Sequence, residues 1–142
     1  MREPNAPSAS AAPGPGAAGA LGAFGSRIGV AFQIFDDVLD VAGPAETTGK
    51  PRGADLLDGT VTLPLIIARE RDPSLRELRV ADAAEAEQVC DRIAATGALN
   101  EARDAALEHV ADAKRVLADI DLTGKQRRTL DLVADGVVER YA

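Results

Sequence analysis

The sequence predicts an all-α protein, and three observations carry that prediction. Of the 142 residues 28 are alanine, the strongest helix former, while aromatic residues make up only 3% and tryptophan is absent. No segment sustains the alternation of apolar and polar residues that a half-buried strand needs, and no Asn-Gly hairpin turn occurs. Capping-box patterns stand at Asp82–Glu85 and Thr123–Gln126, each opening an amphipathic run.

Length and charge bound the rest. The chain is long enough for one domain or part of one. With 16 basic and 23 acidic residues the net charge is −7, opposite to what a nucleic-acid binder needs to displace counterions from phosphates. A lone cysteine leaves no intramolecular disulfide, thiolate zinc cluster or Cys-x-x-Cys redox site.

Residues 1–20 hold four of the eight prolines among Gly, Ser and Ala, and are expected to form a disordered tail. They lack the apolar core of a signal peptide. No run reaches the roughly 18 uninterrupted apolar residues of a membrane span, so no transmembrane segment is expected and the expected location is the cytoplasm.

From Leu21 to Val41 the apolar positions leave almost no polar face, which predicts a buried helix. Gly25 and Gly29 would admit a close neighbour there, at a propensity cost of roughly 1 kcal/mol each against Ala. Gly43 and Pro44 end it, and residues 43–59 read as a loop rich in Gly, Pro and Thr. Val61–Glu70 predicts a second buried helix with Pro64 in its first turn. Asp72-Pro73 reads as an N-cap followed by proline. A helix follows from Asp82 to about Ala95 and breaks at Gly97. A long one runs from Ala98 to about Ile120, and a last one from Thr123 to about Arg140.

The chemistry lies in the first helix. Polar residues interrupt it at Gln33, Asp36, Asp37 and Asp40, so that one stripe carries them, with Asp36 and Asp40 one turn apart on the same side. Burial disfavours each carboxylate charge, and like charges within about 4–6 Å raise one another's pKa. Removing such an ion from water costs several kcal/mol unless it is paired. A hard divalent cation resolves the conflict, and a few carboxylates with substrate phosphates are a typical Mg²⁺ environment. The plainer reading leaves the acids in solvent at a helix end, paired with arginine. Lys50, flanked by Gly49 and with Arg52 nearby, stands where it could reach back to a phosphate held at the same place. A nucleotide-binding P-loop does not fit: five residues separate Gly43 and Gly49, Pro51 replaces the Ser/Thr, and a helix precedes.

FQIFDDVLD at 32–40 followed by GKPRGADLLDGTVTLPL at 49–65 resembles the second aspartate-rich region of trans-isoprenyl diphosphate synthases, the polyprenyl synthetase family. GALNEARDAALEHVADAKRVLADI and the terminal VVERY are similar to its C-terminal helices. The resemblance runs from about Leu21 to Tyr141 and implies a helical bundle corresponding to the C-terminal half of a terpenoid-synthase-type fold, with 21–142 as the family-like domain. It implies that Asp36, Asp37 and Asp40 bind Mg²⁺, that Gln33 lines the pocket, and that Lys50 contacts the diphosphate. The implied reaction ionises an allylic diphosphate, condenses it with isopentenyl diphosphate and ends with proton loss, in isoprenoid biosynthesis.

Three departures accompany the match. The family's first aspartate-rich motif has no counterpart upstream, where residues 1–31 contain no aspartate. The basic residues that would bind isopentenyl diphosphate are missing, and Thr60 stands where lysine is common. The chain therefore looks like a truncated synthase. The alternative is a non-catalytic helical partner subunit or truncated pseudo-enzyme, associating in homo- or hetero-oligomers through an open apolar helix face. His109 and Cys90 are expected to be structural, Asp58 to be solvated, and Asp55 either to fix the loop or to contact metal.

Overall fold

The computed structural model describes residues 16–43 and 51–141. Among them lie six α-helices and no strand: α1 (Ala17–Ala42), α2 (Ala54–Asp58), α3 (Leu63–Arg71), α4 (Ala83–Ala95), α5 (Ala98–Val116) and α6 (Gly124–Tyr141). A 3₁₀ turn at Pro73–Leu75 separates α3 from α4.

The central pair is α1 against α5, and the other helices pack around it. On α1 the buried residues Phe24, Ile28, Ala31, Ile34, Phe35, Val38 and Val41 recur every three or four positions, one stripe of a 3.6-residue helix. On α5 the matching stripe is Ala98, Ala102, Ala106, Val110 and Ala113. Large side chains on one helix thus meet small ones on the other, which fills the space between them. Each fully buried Phe, Ile or Val contributes roughly 1.5–3 kcal/mol. Leu65, Ile67 and Ala68 of α3 and Val89, Cys90 and Ile93 of α4 complete the same core.

The helix ends follow the predicted punctuation where the signal is local. Asp82 Oδ1 accepts the Glu85 N–H at 2.9 Å and opens α4. Thr123 and Gln126 close both arms of their capping box, with the Gln126 N–H donating to Thr123 Oγ1 (3.1 Å) and the Thr123 N–H to Gln126 Oε1 (2.9 Å). Gly97 takes φ +83° and breaks α4 from α5. Asp72 caps as expected, accepting the Ser74 N–H at 3.1 Å, but it opens only the 3₁₀ turn.

Elsewhere tertiary contacts move the boundaries. α1 begins at Ala17, four residues before the predicted start, because Ala17 is buried against the bundle; residues 1–15 of the expected tail lie outside the described residues. α5 stops at Val116 rather than Ile120, and Arg127 takes carbonyls just beyond its end, donating from Nη1 to that of Leu117 (2.8 Å) and from Nη2 to that of Ile120 (3.0 Å). Within the predicted 43–59 loop, residues 54–58 form α2, bounded by Gly53 (φ +79°) and Gly59 (φ +75°).

Candidate functional site

The last three turns of α1 carry Gln33, Asp36, Asp37 and Asp40, and the structure gives each a different environment. Gln33 is exposed and donates from Nε2 to Asp37 Oδ1 at 2.9 Å. Asp36 and Asp37 are half-buried. Burial raises the Asp37 pKa above its ordinary value; the Gln33 hydrogen bond works against this, and the charges of Asp36 and Asp40 add to it. Asp37 therefore holds its negative charge with incomplete compensation.

Asp40 is only 4% exposed, and backbone amides engage both of its carboxylate oxygens. Its Oδ1 accepts the backbone N–H of Ala54 and its Oδ2 that of Asp55, both at 3.2 Å, at the start of α2. The Asp40 carbonyl accepts the Gly53 N–H at 3.0 Å. Arg52 Nε donates to the Val41 carbonyl (2.8 Å), and its Nη2 meets Asp91 Oδ1 of α4 (3.1 Å). The turn at 52–55 is thus tied to the end of α1. Asp36 and Asp40 thus have different partners: the Ala54 and Asp55 amides hold the Asp40 carboxylate, whereas Asp36 hydrogen-bonds Tyr141. Lys50 lies outside the described residues.

The site has an aromatic flank that sequence reading missed. Three of the chain's four aromatic residues gather beside Asp36: Tyr141 stacks on Phe35 at 5.6 Å between centroids and meets Phe32 edge-on at 5.7 Å. The Arg140 guanidinium lies 5.7 Å from the Phe32 ring centroid and 5.6 Å from that of Tyr141. Burial raises the Tyr141 pKa, as do the nearby Asp36 charge and a hydrogen bond between the two side chains, whereas Arg140 lowers it. No periodicity could reveal this, since Tyr141 comes from the far end of the chain.

Other parts of the stripe stay open. A Cβ placed on Gly19, Gly22, Gly25 or Gly29 would meet nothing within 4 Å, so no described helix makes the close approach predicted at Gly25 and Gly29. Val30 and Phe32 are about 40% exposed (41% and 40%), so α1 is not buried all round. By length and composition α1 could cross a membrane, although none was expected; its apolar stripe belongs to the bundle core. A cleft of about 680 Å³ bordered by Leu56–Val61, Arg69 and Arg76–Val80 contains none of the α1 polar residues.

The donor set suits a hard divalent cation. No group of three His, Cys, Asp or Glu side chains that could hold a metal occurs among the described residues. Two adjacent carboxylates remain, and Mg²⁺ is usually held by one or two carboxylates together with waters and substrate phosphates. The strained charge of Asp37 is what such an ion would relieve. His109 lies away from these carboxylates, its Nδ1 3.5 Å from Arg27 Nη1, and Arg27 pairs with Asp112 at 3.2 Å. Cys90 is fully buried.

Comparison with known proteins places this geometry. A family model described as polyprenyl synthetase matches residues 7–96. The chain is 36% identical over 113 residues to solanesyl diphosphate synthase 1 of Arabidopsis thaliana, covering 78% of this chain and 28% of that protein. It is 33% identical to a prenyl transferase of Synechocystis, covering 78% and 35%. The chain therefore spans about a third of the length of these curated relatives. Among solved structures, a Caulobacter crescentus polyprenyl synthase complexed with calcium and isoprenyl diphosphate superposes with TM-score 0.74 at 35% identity, covering 87% of this chain and 40% of that one.

Proposed function

Since the chain belongs to the polyprenyl synthetase family, we propose that it carries one half of a prenyltransferase site, in which Asp36 and Asp37 hold Mg²⁺ for an allylic diphosphate that is condensed with isopentenyl diphosphate. The observation that carries this reading is the pair of adjacent half-buried carboxylates, the charge of Asp37 being disfavoured by burial and by Asp36 and Asp40 and partly offset by Gln33.

When bound, Mg²⁺ supplies positive charge to the departing diphosphate. Gln33 holds Asp37 through its Oδ1 and leaves Oδ2 of the same carboxylate for the ion. Lys50 is proposed to add a second cation to the diphosphate as its C–O bond breaks. Phe32 presents apolar surface beside these groups, which would keep water from an allylic cation. Attack by the double bond of isopentenyl diphosphate and loss of a proton complete the reaction.

Titration calorimetry tests the half-site. Diphosphate should bind the folded chain only with Mg²⁺ present, and Asp36→Ala or Lys50→Ala should weaken binding at least 10-fold. Absence of binding at millimolar diphosphate would sink the proposal. The open face of α1 at Gly19, Gly22, Gly25 and Gly29 favours a second reading, a partner subunit completed by another chain. Incorporation of labelled isopentenyl diphosphate by the purified chain alone would exclude that alternative.

A further inference from the structure

We propose that Asp40 is a positioning residue that anchors the turn carrying Gly53, Ala54 and Asp55, and does not ligate metal. The proposal deepens the Mg²⁺ half-site reading and rests on it for its functional consequence. Three acids at this spacing invite an assignment as a common ligand set, and the structure divides them.

The carboxylate of Asp40 is almost wholly removed from solvent, and each oxygen already accepts a backbone N–H. A buried carboxylate satisfied by two amides has little reason to release them for an ion on its other side. The surroundings repeat the design. The Asp40 carbonyl holds the Gly53 N–H, and Arg52 ties the same turn to Val41 and to Asp91 on α4. Gly53 adopts φ +79°, and a Cβ there would come within 2.9 Å of Ala86 Cβ and 3.1 Å of Cys90 Sγ. These constraints on consecutive residues fix the turn against both α1 and α4. That turn returns the chain from the segment bearing Lys50, which stands three positions before Gly53 in sequence. Asp40 thereby fixes the point, three residues after Lys50 in sequence, at which the chain is tied to the end of α1.

The test separates the two roles. Mn²⁺ affinity, read by electron paramagnetic resonance, should fall at least 10-fold in Asp36→Asn but stay within 3-fold in Asp40→Asn. Diphosphate affinity at saturating Mn²⁺ should nonetheless drop about 10-fold in Asp40→Asn, because asparagine offers one acceptor and turns an NH₂ donor toward a second N–H. Gly53→Ala, which keeps every carboxylate, should reproduce that split if the Asp40 variant proves too unstable to measure.

Amide exchange of the metal-free full chain supplies a readout independent of the proposed activity. Protection at Ala54 and Asp55 should fall at least 10-fold in Asp40→Asn and stay unchanged in Asp36→Asn. Equal loss of Mn²⁺ affinity in Asp36→Asn and Asp40→Asn would overturn the proposal, as would unchanged exchange at Ala54 and Asp55. If the wild-type chain binds no Mn²⁺, the half-site reading fails, and amide exchange alone decides whether Asp40 anchors the turn.

Discussion

Asp37 and Cys90 show how burial acts on single residues in opposite functional senses. The Asp37 carboxyl has its pKa raised, first by burial and then by its acidic neighbours, from an ordinary 3.8. Its contribution to stability is therefore intact below about pH 4 and is lost as pH rises through the elevated folded value. Asp37→Asn keeps an acceptor for Gln33 and should raise the metal-free melting midpoint at pH 7 but not at pH 3. Mg²⁺ should raise the wild-type midpoint at pH 7, and circular dichroism melts of both chains with and without the ion check each outcome. In Cys90 burial pushes the thiol up to about 11, with Arg52 opposing and Asp40, Asp91 and Glu87 reinforcing. A two-unit rise alone makes the thiolate roughly 100-fold scarcer near pH 8. Iodoacetamide should leave Cys90 unlabelled in the native chain and modify it once guanidinium unfolds the bundle. Any stability that Cys90 lends below pH 9 should disappear as pH climbs toward 11.

At the scale of helices and turns, what could be read in the sequence depended on where the stabilising partner lies along the chain. Asp82 and Glu85, or Thr123 and Gln126, carry both halves of a cap within four residues, so the starts of α4 and α6 were legible. Asp82→Ala should accordingly cost about 1 kcal/mol in urea unfolding, the usual worth of an N-cap. Gly97→Ala should also destabilise, because φ is +83° and the added Cβ would lie 3.0 Å from Arg71 Nη1. α2 gave no such signal: five residues are too few for periodicity, and their cap is Asp40, fourteen positions upstream of Ala54. The end of α5 was hidden for the same reason, since Arg127 takes its trailing carbonyls from ten and seven residues away. The candidate site divides likewise. Spacing placed Gln33, Asp36, Asp37 and Asp40 on one stretch of α1, whereas the bonds of Asp40 to the 54–55 amides and the approach of Tyr141 depend on distant segments.

For the molecule as a whole, stability should be uneven. The pair α1 and α5 holds most of the buried side chains, while α6 buries only Ala134 fully and leans on the core through partly buried Leu130, Val137, Val138 and Tyr141. Lys114 and Asp135 add a 2.5 Å ion pair between α5 and α6, half-exposed and worth little by itself. Hydrogen exchange should therefore find α6 opening at lower free energy than α5, with protection falling first at its exposed face. An order in which α5 exchanges before α6 would contradict this picture. The stacking of Tyr141 on Phe35 has a practical corollary for anyone handling the protein. The Tyr141 side chain, at the end of α6, lies next to Asp36. A polyhistidine affinity tag fused there would bring imidazoles to the mouth of the proposed ion site and compete for the very ions being titrated. Purification handles belong at the other terminus.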